Sequence, residues 1–233
     1  MNIPAWKRWL SYLWEVRLER TSSDLNPQLN VSLVRGKFQL STQNAIYSFD
    51  EAYDNFRLSF MTIDWDTFRC ERVLVLGFGL GSIPLILQNV FHQKAEITAV
   101  ELDEAVVELA VKYTIPRLTS PITWYLTDAA TFVAQDEQQY DLICVDVFDN
   151  AQIPVACQTM EFLENCRRLL RYDGLIFYNC LAYTEADRQE TSQFYEGTFK
   201  TIFPHATYKA VTGNHILIQD GRKVKLQSTD SHQ

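Results

Sequence analysis

Long apolar runs are missing from this chain: no stretch of ~18 apolar residues occurs, so no membrane-spanning helix is expected. Runs of Lys and Arg are missing too, and the formal net charge is −8, which argues against nucleic acid as a partner. Histidine is scarce. His92, His205, His215 and His232 are scattered, with no HxxxH or HExxH spacing. The five cysteines, Cys70, Cys144, Cys157, Cys166 and Cys180, form no CxxC pair, and their number is odd. Neither a metal centre nor structural disulfides are expected from this pattern. Free thiols in apolar stretches fit a reducing compartment. The opening MNIPAWKRWLSYLWEV lacks a clean apolar core and a small-residue cleavage site, so a cytoplasmic address is expected.

What is present is ordinary globular material, 47% hydrophobic and 21% charged, in enough length for one α/β domain with a small appendage. Trp6, Trp9, Leu10 and Leu13 fall at helical spacing, which predicts a short amphipathic helix over 4–13. Its polar face carries little charge, so packing on protein is expected, either on the body of the fold or across a homodimer. The period then changes to two over 14–20, 29–33 and 38–40, broken by turn clusters; this predicts a small antiparallel β region. Residues 47–61 read as helical. From Arg72 strands and helices alternate, with strands at 73–77, 96–101, 121–126, 140–146 and 174–180. Helices follow at 82–91, 104–113, 128–135, 157–171 and 186–202. The strands are apolar runs such as VLVL and DLICV, as in central strands covered on both faces. Gly213-Asn214 between two strand patterns predicts a closing hairpin over 205–219. The expected fold is α/β: a doubly wound, mostly parallel seven-stranded sheet. It is expected to end in an antiparallel hairpin and to carry a small N-terminal β-hairpin region. The expected divisions are 1–46, 47–220 and a flexible tail at 221–233.

The stretch RVLVLGFGLGSIPLIL places Gly77, Gly79 and Gly81 at the end of the first of these strands. Such a turn permits close approach of a ligand to the backbone. Its spacing is GxGxG rather than the GxGxxG of dinucleotide sites, and a purely structural tight turn also fits. Glu101 ends the second strand, where an acid accepts ribose hydroxyls from nicotinamide and adenosyl ligands alike. Asp128 opens the helix after the third strand and reads as a cap, an adenine acceptor, or both. Asp146 and Asp149 follow the fourth strand. Strand C-termini line the ligand crevice of a parallel sheet, so Glu101, Asp128, Asp146 and Asp149 are expected around one cleft. So many carboxylates favour a cationic ligand, such as a sulfonium with an amine, and repel phosphates.

In RVLVLGFGLGS, ITAVELDEAVVELA, YLTDAATFV and YDLICVDVFDN the chain resembles the spermidine synthase family, within the class I S-adenosylmethionine-dependent transferase fold, which implies a Rossmann-like methyltransferase type of sheet. GKFQLSTQNAIYSFDEAY is similar to the segment that precedes that family's main domain. The resemblance implies that Glu101 holds the ribose diol and Asp128 the adenine, with Leu102 and Ala129 beside them. It implies that Asp146 is the general base toward an attacking amine and that Asp149 helps to bind the amine. S-adenosylmethionine or its decarboxylated form would be the co-substrate, with no metal.

The departures from the family pattern fall on the substrate half. In the family's GGGDGG turn the Asp grips the amino end of the decarboxylated donor; Leu80 stands in its place. The DSSDP-like loop reads DVFDN, with Val147, Phe148 and Asn150 at altered positions, and Phe148 would narrow the substrate channel. The family's Tyr-Gln pair is matched to Phe49-Asp50. Three readings stay open: an aminopropyltransferase, a methyltransferase of unknown acceptor, and a catalytically silent binding protein.

Overall fold

The computed structural model describes residues 3–42, 45–149 and 152–225. Its larger sheet has seven strands: β5 (Arg72–Leu76), β6 (Glu96–Glu101), β7 (Ile122–Leu126), β8 (Tyr140–Val145), β9 (Leu170–Leu181), β10 (Thr207–Val211) and β11 (Asn214–Ile218). Their order is β10-β11-β9-β8-β5-β6-β7. Neighbours from β9 to β7 are parallel; β11 pairs antiparallel with β9 and with β10. This is the expected sheet, closed by the expected hairpin. Every residue of β8 is buried, because α2 (Asp54–Phe60), α3 (Ser82–Asn89) and α4 (Glu104–Tyr113) cover one face. The other face is covered by α5 (Ala129–Gln135), α6 (Met160–Leu169) and α7 (Glu185–Phe194).

Four N-terminal strands form a separate antiparallel sheet in sequential order: β1 (Val16–Thr21), β2 (Leu29–Val34), β3 (Lys37–Ser41) and β4 (Ile46–Phe49). The helix expected over 47–61 is therefore corrected at its start. Ile46–Phe49 pairs with β3, and only Asp54–Phe60 is helical. Aromatic spacing alone does not separate the two, and the free edge of β3 decides. Leu29, Val31, Leu33, Phe38 and Leu40 pack on Val106, Leu109 and Tyr113, forming a third apolar seam. Each fully buried aliphatic side chain there contributes about 1.5–3 kcal/mol, so the small sheet is held by the main domain.

Three other expectations change. Helix α1 (Ala5–Leu10) has no buried residue, and Trp6, Trp9, Tyr12, Leu13 and Trp14 are each more than half exposed. Of these side chains, Tyr12 rests against Gly36 of the β2–β3 turn, and all five stay mostly exposed. The segment is fastened instead by Ser11, whose carbonyl accepts from Arg35 N and whose hydroxyl accepts from Gly36 N. The helix expected over 157–171 stops at Leu169, since Leu170 already belongs to β9. The first part of the expected tail, 221–225, is docked through Lys225: its N–H donates to the Thr62 carbonyl and its Nζ pairs with Asp64. The rest of the expected tail, 226–233, lies outside the described residues, as does Asn150.

Candidate active site

The C-terminal ends of β5, β6, β8 and β9 open into a cleft of about 1200 Å³. Glu101, Asp128, Asp146 and Asp149 all line it, with Gly77, Gly79, Leu102, Ala129, Phe49 and Phe148. Asp103 and Asp187 join them, which makes six carboxylates; among the described residues no Lys, Arg or His lines the cleft.

Local geometry explains these placements. Gly77 has φ +79°, and a Cβ there would collide with the backbone carbonyl of Asp146, so the glycine lets the ends of β5 and β8 meet. Gly81 has φ +88° and sits against the Phe78 ring and the Thr114 methyl. It shapes the turn without lining the cleft. Glu101 accepts three backbone N–H bonds, from Gly79 at 3.0 Å, Leu102 at 2.9 Å and Asp103 at 3.1 Å. It thereby ties the glycine turn to the end of β6. Burial pushes its carboxyl above the ordinary value, and the three N–H groups oppose that rise. Asp128 caps α5 through Thr131 N at 2.9 Å while facing the cleft, so both of its readings are compatible. Asp103 caps α4 and accepts from Ser23 and Asn26, which joins the β1–β2 loop to the cleft wall.

Asp146 is a strongly perturbed acid. Desolvation pushes its carboxyl up to about 7, aided by the charge of Glu101 and opposed by hydrogen bonds from Asn179 and Tyr53. Both bonds fall on Oδ1: Asn179 Nδ2 donates at 2.8 Å and the Tyr53 hydroxyl at 3.1 Å. Among the described residues Oδ2 accepts none. Burial and the Asp146 charge hold the Tyr53 hydroxyl well above its ordinary value, so it stays a neutral donor. A carboxylate poised near neutrality with one open oxygen is suited to take a proton from a cleft-bound group.

Two expected substrate-half residues lie elsewhere. Asp50 is 2% exposed and does not line the cleft. It has φ +38° and accepts both Arg117 guanidinium nitrogens, at 2.8 and 3.0 Å, together with Phe38 N at 2.8 Å. It pins the small sheet to the turn after α4. Leu80 is 1% exposed and packs in the seam between the small sheet and α4, away from the ligand space. Tyr53 and Asn179, by contrast, are cleft residues that the sequence reading missed. Asn179 left a signal, being the one polar side chain in the apolar run GLIFYNCL.

The family model "Spermine/spermidine synthase domain" matches residues 61–221, more than half of the chain. The chain belongs to the spermine/spermidine synthase family. The β1–β4 sheet precedes the matched stretch of this family domain. A polyamine aminopropyltransferase from Vibrio vulnificus is 28% identical over 136 residues, 57% of this chain and 44% of that protein. An N-terminal histidine N-methyltransferase from Emericella nidulans is 34% identical over 140 residues, 58% of this chain and 24% of that protein. The chain thus spans less than half the length of either relative. Among solved structures, one described as a probable spermidine synthase from Corynebacterium glutamicum has a TM-score of 0.69 at 22% identity. It covers 87% of this chain and 78% of its own, and it shows the fold.

Proposed function

We propose that this chain is a transferase of the aminopropyltransferase type, joining an amine acceptor to the carbon chain of an adenosyl sulfonium donor. The observation that carries the reading is Asp146, a buried carboxylate near neutrality in a cleft lined by acids and, among the described residues, by no Lys, Arg or His. Glu101 would accept the ribose diol and Asp128 the adenine amino group, with Leu102 and Ala129 flanking the nucleoside. Decarboxylated S-adenosylmethionine is the preferred donor on this reading, because a carboxylate on the donor would enter an already anionic cleft. In the step proposed, Asp146 takes a proton from the ammonium of the acceptor. The freed nitrogen then bonds to the carbon beside sulfur, and the carbon–sulfur pair leaves with sulfur as a neutral thioether. Asp149 and Phe148 would border the acceptor.

The second reading is methyl transfer from S-adenosylmethionine. It draws on the likeness to the histidine N-methyltransferase and on the absence of an acid from the glycine turn itself.

Calorimetric titration with S-adenosylmethionine, its decarboxylated form, methylthioadenosine and NAD tests both. Tighter binding of the decarboxylated form, followed by its turnover with an alkyl diamine, is the expected result. A preference for the parent compound moves the reading to methyl transfer. Binding of none of the adenosyl compounds overturns it.

A further inference from the structure

The hydrogen bonds of Asp146 continue beyond Asn179. Asn214 Nδ2 donates to Asn179 Oδ1 at 2.8 Å, and Asn214 also lines the cleft. The hairpin register makes this contact. Asn214 pairs with Leu181, and Ile216 with Asn179. Asn214 and Asn179 are therefore diagonal neighbours on one face of the sheet. The turn at Thr212-Gly213, with Gly213 at φ +80°, sets that register.

We infer that Asn214 is a positioning residue for Asp146: its side-chain N–H fixes the amide of Asn179 so that an N–H, not a carbonyl oxygen, faces the carboxylate. An amide side chain carries a donor end and an acceptor end. Turned over, Asn179 would set its oxygen against Asp146 Oδ1 and its NH2 against that of Asn214, two repulsive contacts in place of two bonds. Asn179 is 1% exposed, so water does not readily substitute. The ionisable groups around Asp146 are Tyr53 at the start of α2, Glu101 at the end of β6 and Cys144 on β8. None of them supplies the donor that Asn179 Oδ1 receives. The hairpin that closes the sheet is thus wired to the carboxylate that the function proposed above uses as its base. The catalytic consequence rests on that proposal, while the positioning does not.

The test is a carbon-detected NMR titration of the Asp146 carboxyl in the ligand-free protein, with Asp146→Asn to assign the signal. Asn214→Leu, similar in shape but without a donor, is expected to raise the midpoint by about half to one pH unit. Asn214→Gln, which keeps a terminal NH2, should stay nearer the wild type. In turnover, the acid limb of kcat/KM should move by the same amount, with the high-pH plateau kept within about two-fold. A shift of one unit from a midpoint near 7 is about a five-fold loss at pH 7. A lowered plateau with an unmoved limb would show a merely structural role and overturn the inference. Should the Leu variant fail to fold, the wild type still decides. The side-chain NH2 signals of Asn179 and Asn214 must titrate together with Asp146, and an Asn214 signal indifferent to that titration refutes the relay. Coupled titration in a protein that turns over no amine would sink the proposed function and leave the relay standing.

Discussion

Replacing Asp146 by Asn should make this protein more stable, and by an amount that depends on pH. The native carboxyl sits at about 7, whereas an unfolded Asp lies near ~3.9. Between those values the native state holds a proton that the unfolded chain has released. Stability contributed at this site therefore falls as pH rises from about 4 to about 7, and stays low above that. The difference of roughly 3 pH units corresponds to about 4 kcal/mol at pH 8, as a ceiling, and to about 1–2 kcal/mol at pH 5. Asn does not ionise. Its Oδ1 still accepts from Tyr53 and Asn179, so the hydrogen bonds that hold Asp146 persist in the variant. Urea denaturation of both proteins at pH 5 and pH 8 measures the effect. Asp146→Asn should unfold later at pH 8, by about 1 M or more in midpoint, with a smaller gap at pH 5. A gap equal at the two pH values would refute the desolvation argument. So would a variant less stable at pH 8, since it would place the carboxylate in a compensated site. Loss of turnover in the same variant would identify the instability as the cost of a base tuned to neutral pH.

Three further outcomes follow from the same geometry. Glu101→Gln should weaken adenosyl-ligand binding about 10–100-fold by calorimetry, because one charged acceptor for the ribose hydroxyls is lost; unchanged affinity would remove Glu101 from the nucleoside site. Leu80→Asp should lower stability by about 3 kcal/mol or more without changing the preference between donor forms, because the side chain lies in the seam; a gain in selectivity for the decarboxylated donor would show that Leu80 faces the ligand after all. Arg117→Leu should cost about 2–3 kcal/mol in denaturant unfolding by leaving the buried Asp50 carboxylate with a single backbone donor, and a neutral result would mean that water reaches Asp50.

The parallel sheet was legible because its strands are short apolar runs between polar turns, a pattern that few other arrangements tolerate. The four acids were legible for a topological reason: residues just past the C-terminal ends of parallel strands share one crevice wherever their side chains turn. Elements fixed by partners distant in sequence were not. Strand β4 depends on the free edge of β3, and the docking of Lys225 depends on a carbonyl more than 160 residues earlier. Leu80 shows the limit most clearly. Its place between Gly79 and Gly81 suits a substrate contact, yet its side chain packs into the seam beneath the small sheet. Tyr53 and Asn179 needed the fold before their hydrogen bonds to Asp146 were visible, and Asn214 needed the hairpin register as well.

The distribution of cations sharpens the functional argument beyond a count of acids. Away from the cleft, several buried or half-buried carboxylates are met by basic side chains: Asp50 by Arg117, Asp141 by Arg171, Glu51 by Lys37 and Glu19 by Lys112. Within it, the donors that the described residues give Glu101, Asp103, Asp128, Asp146 and Asp187 are neutral: backbone N–H groups and Ser, Asn and Tyr side chains. Among the described residues none of these five forms an ion pair. Neutral hydrogen bonds orient a carboxylate and leave its charge uncancelled, so the field of the cleft is negative and directed at whatever enters. A nucleotide phosphate would meet repulsion from every wall. A sulfonium and an ammonium together would supply the charge that the protein withholds, and transfer between them would leave a neutral thioether, one positive charge fewer in the same anionic cleft. That loss of attraction predicts product affinity as well: methylthioadenosine should bind more weakly than the sulfonium donor, with the difference shrinking as salt screens the cleft. Titrations at 50 and 500 mM salt would measure it, and equal affinities at low salt would show that the acids serve the turn and the helix caps rather than the ligand.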